Sequence, residues 1–438
     1  MSPLFMFLGL AALLAGGCSR QEIDSIARED LFTLEIGRME DQLALYSLEG
    51  DRGLSRVGLT MRDGLFYISD GNGNKIVRYN SYGDLLFMIY NEESNPAPLS
   101  LRTNIDENVT ATRWAFTYPL REPGRIVVDS RKHIYVEDRL PDDRHGYDSE
   151  GRALLDSVVL HFDQDGRFIE YLGQGGIGGG PLSRIAGLYT SVRDELVVVC
   201  REAAGWTVHW YSANGDMLSV VRLKNGAVPT PPDWPPSFVS VDSIMAAPDS
   251  RELYIKVDYY RDIYDDSTGT RVGTEPYGSL IWVMDVENGA YTEVLEVPFL
   301  EETAMVNGHR ETVRMLYTMM GIVRGGRVFL SFPGEDGYSL LILRRENQGD
   351  PFDSPARSSP RSPARPPSEG GEAGWDRTVR PAASLEQHRG LIRVDKEELR
   401  LNNFDLSGDG ILSALLVGEF EVRIVWWRTD KILAEGGV

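Results

Sequence analysis

The feature that most constrains the fold of this chain is a short strand pattern that occurs six times. Each copy consists of a polar or glycine-containing turn followed by a run rich in apolar, β-branched and aromatic residues. Runs of this kind between turns are typical of β-strands, and their repetition is typical of repeat architectures. The six runs are residues 65–68, 133–136, 195–199, 252–255, 327–330 and 411–415.

The residues around each copy predict further strands. A second strand follows each copy, and in most copies a glycine-containing turn and a third strand come next. The clearest of these turns are residues 80–83, 163–166, 212–215 and 286–289. A further strand precedes each copy, as in residues 125–128. Turns of this composition between apolar runs indicate antiparallel hairpins. Four antiparallel strands per unit, repeated around an axis, predict an all-β, six-bladed β-propeller over residues 31–435.

The first blade carries a resemblance to a known repeat. Residues 64–84 resemble an NHL repeat, with a strand, Asp70, an asparagine-rich turn, a second strand, an aromatic residue and a glycine turn. The glycine-rich residues 173–181 resemble the linker between NHL blades. The whole arrangement is similar to an uncharacterised group of spirochaetal lipoproteins. This resemblance covers most of residues 31–435 and is close in blades one to three. It implies a propeller that serves as a binding scaffold, although some such propellers are enzymes.

The N-terminus has the features of a secretory signal. Residues 4–15 form an apolar run that is too short to span a bilayer, which takes about 20 residues, but that fits a signal peptide. Small residues then lead to Cys18, which resembles a bacterial lipobox without basic residues before it and with its leucine one place early. We expect a signal peptide at 1–17, a lipid on Cys18 and a flexible tether at 18–30. The expected location is the bacterial cell envelope.

Composition limits the possible partners. Lys and Arg number 45 against 66 Asp and Glu, giving a net charge of −21. This balance argues against nucleic-acid binding and against general adhesion to anionic lipids. Two cysteines cannot form a disulfide framework, and Cys200 is expected to be buried and inert. Nucleotide-binding and zinc-protease motifs are absent. We therefore predict no metal and no cofactor, membrane contact only through the lipid, and a monomer that binds a protein or peptide of the cell envelope.

Segment lengths distinguish the two faces of the predicted propeller. With strands named A to D outward from the axis, A–B and C–D turns share one face, here called the turn face. B–C and D–A segments share the other, here called the loop face. The long segments 91–122, 138–156, 224–240, 259–278 and 298–312 all belong to the loop face. Because binding residues concentrate on such loops, the loop face is predicted to be functional. The exception is 348–387, a Pro/Arg/Ser-rich insert between strands C and D of blade five that is predicted to be disordered.

Candidate binding residues were sought among the tyrosines, tryptophans and arginines of the loop face, because these residue types are enriched at interface hot spots. For the two tryptophans, local packing is an equal alternative. The acidic residues of the 259–278 loop could hold calcium, but a solvated acidic loop is commoner. His161 and His209 are expected to occupy equivalent positions in strand C, which favours structural roles over metal binding. The candidates are Tyr147, Trp206, Trp234, Tyr259, Tyr260, Arg261 and Tyr264.

Two functions fit these patterns. The first is a lipid-anchored binding scaffold, and the second is a propeller enzyme of the metal-dependent lactonase or lyase type. The enzyme requires at least three carboxylates, or equivalent ligands, converging on the channel mouth. The inner-strand residues 58–61 and 186–189 are mostly apolar, which favours the scaffold.

Closure of the ring should involve both chain ends. Residues 31–36 have strand composition and should pair with strand C of the last blade, at 422–427. This pairing would remove two exposed strand edges. The competing arrangement places 432–434 as the outer strand, with the N-terminal segment outside it.

The first prediction concerns lipidation. The variant Cys18→Ala should lose acyl labelling in cells, because the thiol of this residue is the expected acceptor. Globomycin, which blocks lipoprotein signal removal, should leave the precursor unprocessed. Labelling that persists in Cys18→Ala would contradict the assignment.

Overall fold

The computed structural model describes residues 24–45, 56–103, 113–148, 154–306, 309–344, 380–381, 386–398 and 402–435. These residues form six four-stranded antiparallel sheets arranged as a β-propeller. The predicted fold class is therefore confirmed, and each of the six recurring runs lies in the second strand of a blade. No helix in these ranges is long and apolar enough to cross a membrane. Cys18 lies outside the described residues.

The strands of each blade follow one another along the chain, except in the last. Strands A to D of blade one are Val57–Arg62, Leu65–Asp70, Lys75–Asn80 and Leu85–Tyr90. Those of blade two are Ile126–Val128, Ile134–Arg139, Ser157–Phe162 and Phe168–Gly173. Those of blade three are Arg184–Thr190, Leu196–Glu202, Gly205–Tyr211 and Met217–Lys224.

Blades four to six continue the series. Strands A to D of blade four are Phe238–Ala246, Glu252–Tyr264, Arg271–Asp285 and Tyr291–Val297. Those of blade five are Thr318–Val323, Arg327–Gly334, Gly337–Arg344 and Glu386–Arg393. Those of blade six are Asn402–Leu406, Leu412–Val417, Glu421–Trp427 and, from the N-terminus, Arg28–Glu35.

The core consists of apolar layers between neighbouring blades. In strand B of blade one, Phe66 and Ile68 pack towards blade six, whereas Tyr67 packs towards blade two. Successive side chains of a strand point to opposite faces of its sheet. Because both faces of a blade are covered, strand B reads as a continuous apolar run rather than as an alternating one. This packing explains why the six runs are the clearest signal in the sequence.

The ring closes as the sequence predicts. Strand Arg28–Glu35 pairs antiparallel with Glu421–Trp427, and Leu34 lies opposite Val422. The indole Nε1 of Trp426 also donates a hydrogen bond to Glu29 at 2.8 Å. The competing outer strand at 432–434 is wrong, because Thr429–Glu435 forms a helix.

Additional short strands cover the outer edges of four blades. They are Trp114–Thr117 on blade one, Gly176–Ile177 on blade two, Arg380–Pro381 on blade four and Asp24–Ile26 on blade five. The last of these shortens the expected tether, because the ordered strands begin at Asp24 rather than after residue 30. The insert lies between strands C and D of blade five as predicted. Most of it, 348–379 and 382–385, lies outside the described residues.

Stability should depend on the N-terminal strand. Leu34 is buried between blades six and one, so Leu34→Ala should lower the free energy of unfolding by about 2–5 kcal/mol. Thr33→Ala, at an exposed position of the same strand, is the matched control and should change stability little. Chemical denaturation of both variants measures the difference. Equal stability of the two would count against closure by this strand.

Candidate functional site

The loop face carries the longest ordered excursions from the blades. Blade two adds a 3-10 turn, Asp142–Arg144, and a small hairpin of Gly146–Tyr147 with Leu154–Leu155. A second hairpin, Leu300–Val306 with His309–Met315, connects blades four and five. On the turn face, by contrast, the described turns between strands are short. The predicted asymmetry between the two faces is therefore present in the described residues.

The segment 259–278 was expected to be a loop, and this expectation is wrong. Strands B and C of blade four continue beyond the blade as a two-stranded ribbon, with Tyr260 opposite Pro276 and Tyr264 opposite Arg271. Asp265 closes the turn by accepting hydrogen bonds from the hydroxyl and amide groups of Ser267 and Thr268. These hydrogen bonds lower the pKa of Asp265 to about 2.

Ion pairs hold the ribbon in shape. Arg261 pairs with Glu275 directly across the ribbon and lies over the ring of Tyr277 at 5.6 Å. Arg271 pairs with Asp262 at 2.8 Å. The carboxylates of Asp262 and Asp265 therefore have partners within the ribbon. A calcium ion is not needed to explain the acidic composition of this segment.

Two of the predicted binding residues belong to the core. Tyr259 is fully buried, and its hydroxyl donates to the carbonyl of Pro229 at 2.5 Å and accepts from the indole Nε1 of Trp282 at 2.9 Å. Trp206 is buried in the same layer between blades three and four. The prediction that Tyr259 is an exposed binding residue is therefore wrong, whereas Trp206 follows the alternative of local packing. Trp234 is half-buried and makes edge-to-face contacts with Tyr259 and Tyr277.

The remaining candidates are accessible to different degrees. Tyr147 is 69% exposed and Tyr264 is 57% exposed. Tyr260 is half-buried, with its ring 5.9 Å from that of Phe238. Arg261 is exposed but already paired. Phe238 and Val272, exposed by 58% and 63%, were missed because hot-spot composition directed attention to tyrosine, tryptophan and arginine.

Exposed apolar side chains concentrate on the loop face. Among the described residues, eleven of the sixteen exposed large hydrophobic side chains lie in B–C or D–A segments or at their ends. Tyr82 and Val192 lie in turns of the turn face, and Phe168 directly follows one. Clusters of exposed apolar surface mark interaction sites. The eleven are Met39, Leu99, Tyr147, Leu154, Ile177, Phe238, Ile263, Tyr264, Val272, Val313 and Phe420.

The axis of the propeller encloses a cavity of about 700 Å³ lined by the inner strands. Within it, Asp405 accepts hydrogen bonds from the amide of Met61 at 2.8 Å and the hydroxyl of Thr60 at 3.4 Å. Burial raises the pKa of Asp405 to about 6. No group of three or more His, Cys, Asp or Glu side chains suited to a metal ion occurs among the described residues. The carboxylate cluster that the enzyme hypothesis requires is thus not found there.

Blade two contains a partly buried chain of polar side chains centred on buried His161. A hydrogen bond of 2.9 Å joins Nε2 of His161 to Nδ1 of His133. On its other side, Nδ1 of His161 lies 3.1 Å from Oε1 of Glu170. Burial, with the neighbouring His133, lowers the pKa of His161 to about 4. His209 is not equivalent to it, contrary to the sequence-based expectation. His161 lies opposite Tyr135 and faces blade three, whereas His209 lies opposite Val198 and faces blade two.

Comparisons with known proteins give similarity to solved structures only. No family model and no curated protein matches the chain. A gluconolactonase from Xanthomonas campestris aligns at 11% identity over 92% of this chain and 97% of its own, with a TM-score of 0.38. A glucose dehydrogenase aligns at 10% identity over 92% and 99%, with a TM-score of 0.37. A Hsv2 variant with a replaced loop aligns at 12% identity over 50% of this chain, and the chain spans 57% of its length, with a TM-score of 0.26. The propeller assignment therefore rests on the strand pairing of the chain itself.

The buried histidine should make stability depend on pH. Because the pKa of His161 is lower in the folded protein than the usual value of 6.5, the unfolded chain binds more protons between these values. The contribution of neutral His161 to stability is therefore complete above pH 6.5 and is lost as the pH falls through about 4. Wild type should therefore lose on the order of 2 kcal/mol relative to His161→Gln between pH 7 and pH 4.

The comparison with His161→Gln is needed because other groups act in the opposite direction. Burial raises the pKa values of Asp138 and Asp405 to about 6, so both favour folding as the pH falls. His145→Gln, at a partly exposed histidine, is the control. Denaturation midpoints across this pH range give the result. Parallel profiles for wild type and His161→Gln would contradict the assignment.

Proposed function

We propose that this protein is a lipid-anchored, extracytoplasmic β-propeller that binds a protein or peptide partner through its loop face. The supporting observation is the concentration of exposed apolar side chains on that face. Burial of such apolar surface against a partner lowers the free energy of the system, because the surface is removed from water. The turn face offers no comparable surface among the described residues.

The blade-four ribbon is the best-formed part of this surface. Its two ion pairs and the Asp265 turn hold it in one conformation. A rigid binding element loses less conformational entropy when it binds. The ribbon presents Tyr264 and Val272 to solvent, and Phe238 lies exposed at its base. An aromatic ring flanked by aliphatic side chains is suited to an apolar pocket or an apolar segment of a partner.

Anchoring through Cys18 would place the propeller close to the membrane. Only six residue steps separate Cys18 from Asp24, the first residue of the strand on the edge of blade five. Fully extended, such a segment reaches about 20 Å. The rim at blade five would then lie near the lipid surface, and the partner would belong to the same cell envelope.

An enzyme of the channel remains the second candidate, and the axial cavity favours it. A volume of about 700 Å³ is within the range of small-molecule sites. Asp405 is one of the aspartates that line the cavity, and its raised pKa would let it exchange a proton near neutral pH. Binding of a small molecule in the channel that Asp405→Asn abolishes would favour this alternative.

Removal of the ribbon aromatics should weaken partner binding. A partner identified by proximity labelling of the wild-type protein should bind the Tyr260→Ala/Tyr264→Ala variant with a loss of roughly 2 kcal/mol or more, or about 30-fold. Tyr82→Ala, on the turn face and 86% exposed, is the matched control and should bind like wild type. Thermal melting checks that both variants fold. Unchanged affinity of the double variant would move the site away from the ribbon.

A further inference from the structure

The outer edge of blade three differs from the other five. Edge strands expose unpaired backbone groups that can pair with another chain, and proteins normally cover or charge them. Blades one, two, four and five have additional strands on their outer edges. In the described part of the chain, nothing pairs with the outer side of Met217–Lys224, the outer strand of blade three.

Blade six also lacks an additional strand in the described residues, but its edge is protected by charge. Its outer strand, Arg28–Glu35, contains four charged residues among eight. Arg28 binds Glu398 at 2.7 Å and also Asp30. The blade-three strand, with the sequence Met-Leu-Ser-Val-Val-Arg-Leu-Lys, has charge only at its C-terminal end. It is therefore the least protected edge that the structure describes.

The surroundings of this edge are apolar. Four exposed large hydrophobic side chains of the described residues lie on the outer rim, and all four belong to blades two and three. Ile177 approaches Gly215, which lies two residues before the blade-three edge strand, and Leu218 is 45% exposed. The apolar surface is thus continuous with the open edge. The four residues are Phe168, Ile169, Ile177 and Leu218.

We propose that two copies of this chain associate by antiparallel pairing of their blade-three edges. The charge pattern selects this occupant and this direction. The strand is preceded by exposed Asp216 and ends with exposed Arg222 and Lys224. Antiparallel pairing places the acidic end of one strand beside the basic end of the other, whereas parallel pairing places like charges together. The contact is isologous, the commonest type in homodimers.

The irregularity in the edge strand does not prevent this pairing. The register between strands C and D of blade three shifts at Trp210 and Tyr211, which leaves Leu218 as an extra residue. Equivalent shifts occur in blades one, two and four, and the outer strands of those blades still receive an additional strand. The dimer contact lies on the rim and leaves the loop face free. A dimer of this kind differs from the monomer expected from the sequence.

Cysteine cross-linking of the full chain in its host membrane tests the proposal. Val220→Cys places a thiol at the centre of the proposed contact, and Thr33→Cys places one at an exposed position on the charged edge of blade six. Native Cys200 is buried, and burial raises its thiol pKa to about 12. Under mild oxidation, Val220→Cys should form a covalent dimer on a non-reducing gel and Thr33→Cys should not. Equal cross-linking of the two variants would overturn the proposal.

Charge reversal tests the direction of pairing. In the Val220→Cys background, Lys224→Asp should reduce the dimer band by about tenfold, because it places acidic groups together. Adding Asp216→Lys should restore the band by exchanging the two charges. A matched reversal at Arg393, an exposed residue of the blade-five outer strand whose edge is covered by Asp24–Ile26, should have no effect. If Lys224→Asp leaves the band unchanged, or if the exchange does not restore it, antiparallel pairing is wrong.

Discussion

The rest of this structure depends on one strand pairing, between Arg28–Glu35 and Glu421–Trp427. Each blade buries its two faces only against its neighbours, so an open ring would leave the facing layers of blades six and one exposed to water. The layer that closes contains Leu34 and Ile424 together with Phe66 and Ile68 of blade one. Pairing of the chain ends therefore stabilises every blade indirectly, because each apolar layer requires a closed ring. It also removes two open strand edges.

A second set of contacts explains why the two faces differ. On the turn face, neighbouring A–B turns bind one another around the axis. Ser130 donates to Asp194, the amide of Val192 donates to the carbonyl of Pro248, and the amide of Gly325 donates to Asp249. Long insertions in these turns would break this ring of contacts. The loop face has more freedom, and the chain places its longer segments there.

Most of the fold could be predicted from the sequence because its strongest signals are local. Strand B is buried on both faces, which makes it a continuous apolar run, and tight glycine turns mark the hairpins. The strands that cover blade edges have only two to four residues, too few for any periodic pattern. The ribbon of blade four was expected to be a loop because its sequence is charged and shows no alternation of polar and apolar residues. What stabilises it is two ion pairs, Arg261–Glu275 and Asp262–Arg271, which the sequence alone does not reveal.

The candidate site was predicted less well, for a related reason. Tyr259 has the composition of a binding residue, but it continues the alternation of Ile255 and Val257 and therefore faces the core with them. Side chains alternate between the two faces of strand B, which extends to Tyr264. This alternation explains why Tyr259 is buried although Tyr260 and Tyr264 are accessible. The position of the long segments alone is also weak evidence of function, since the ring of turn contacts already excludes insertions from the other face. What distinguishes the loop face is its composition. Segments free to be polar instead expose Phe238, Tyr264 and Val272 to water, and this exposure is the observation on which the proposed binding of a partner depends.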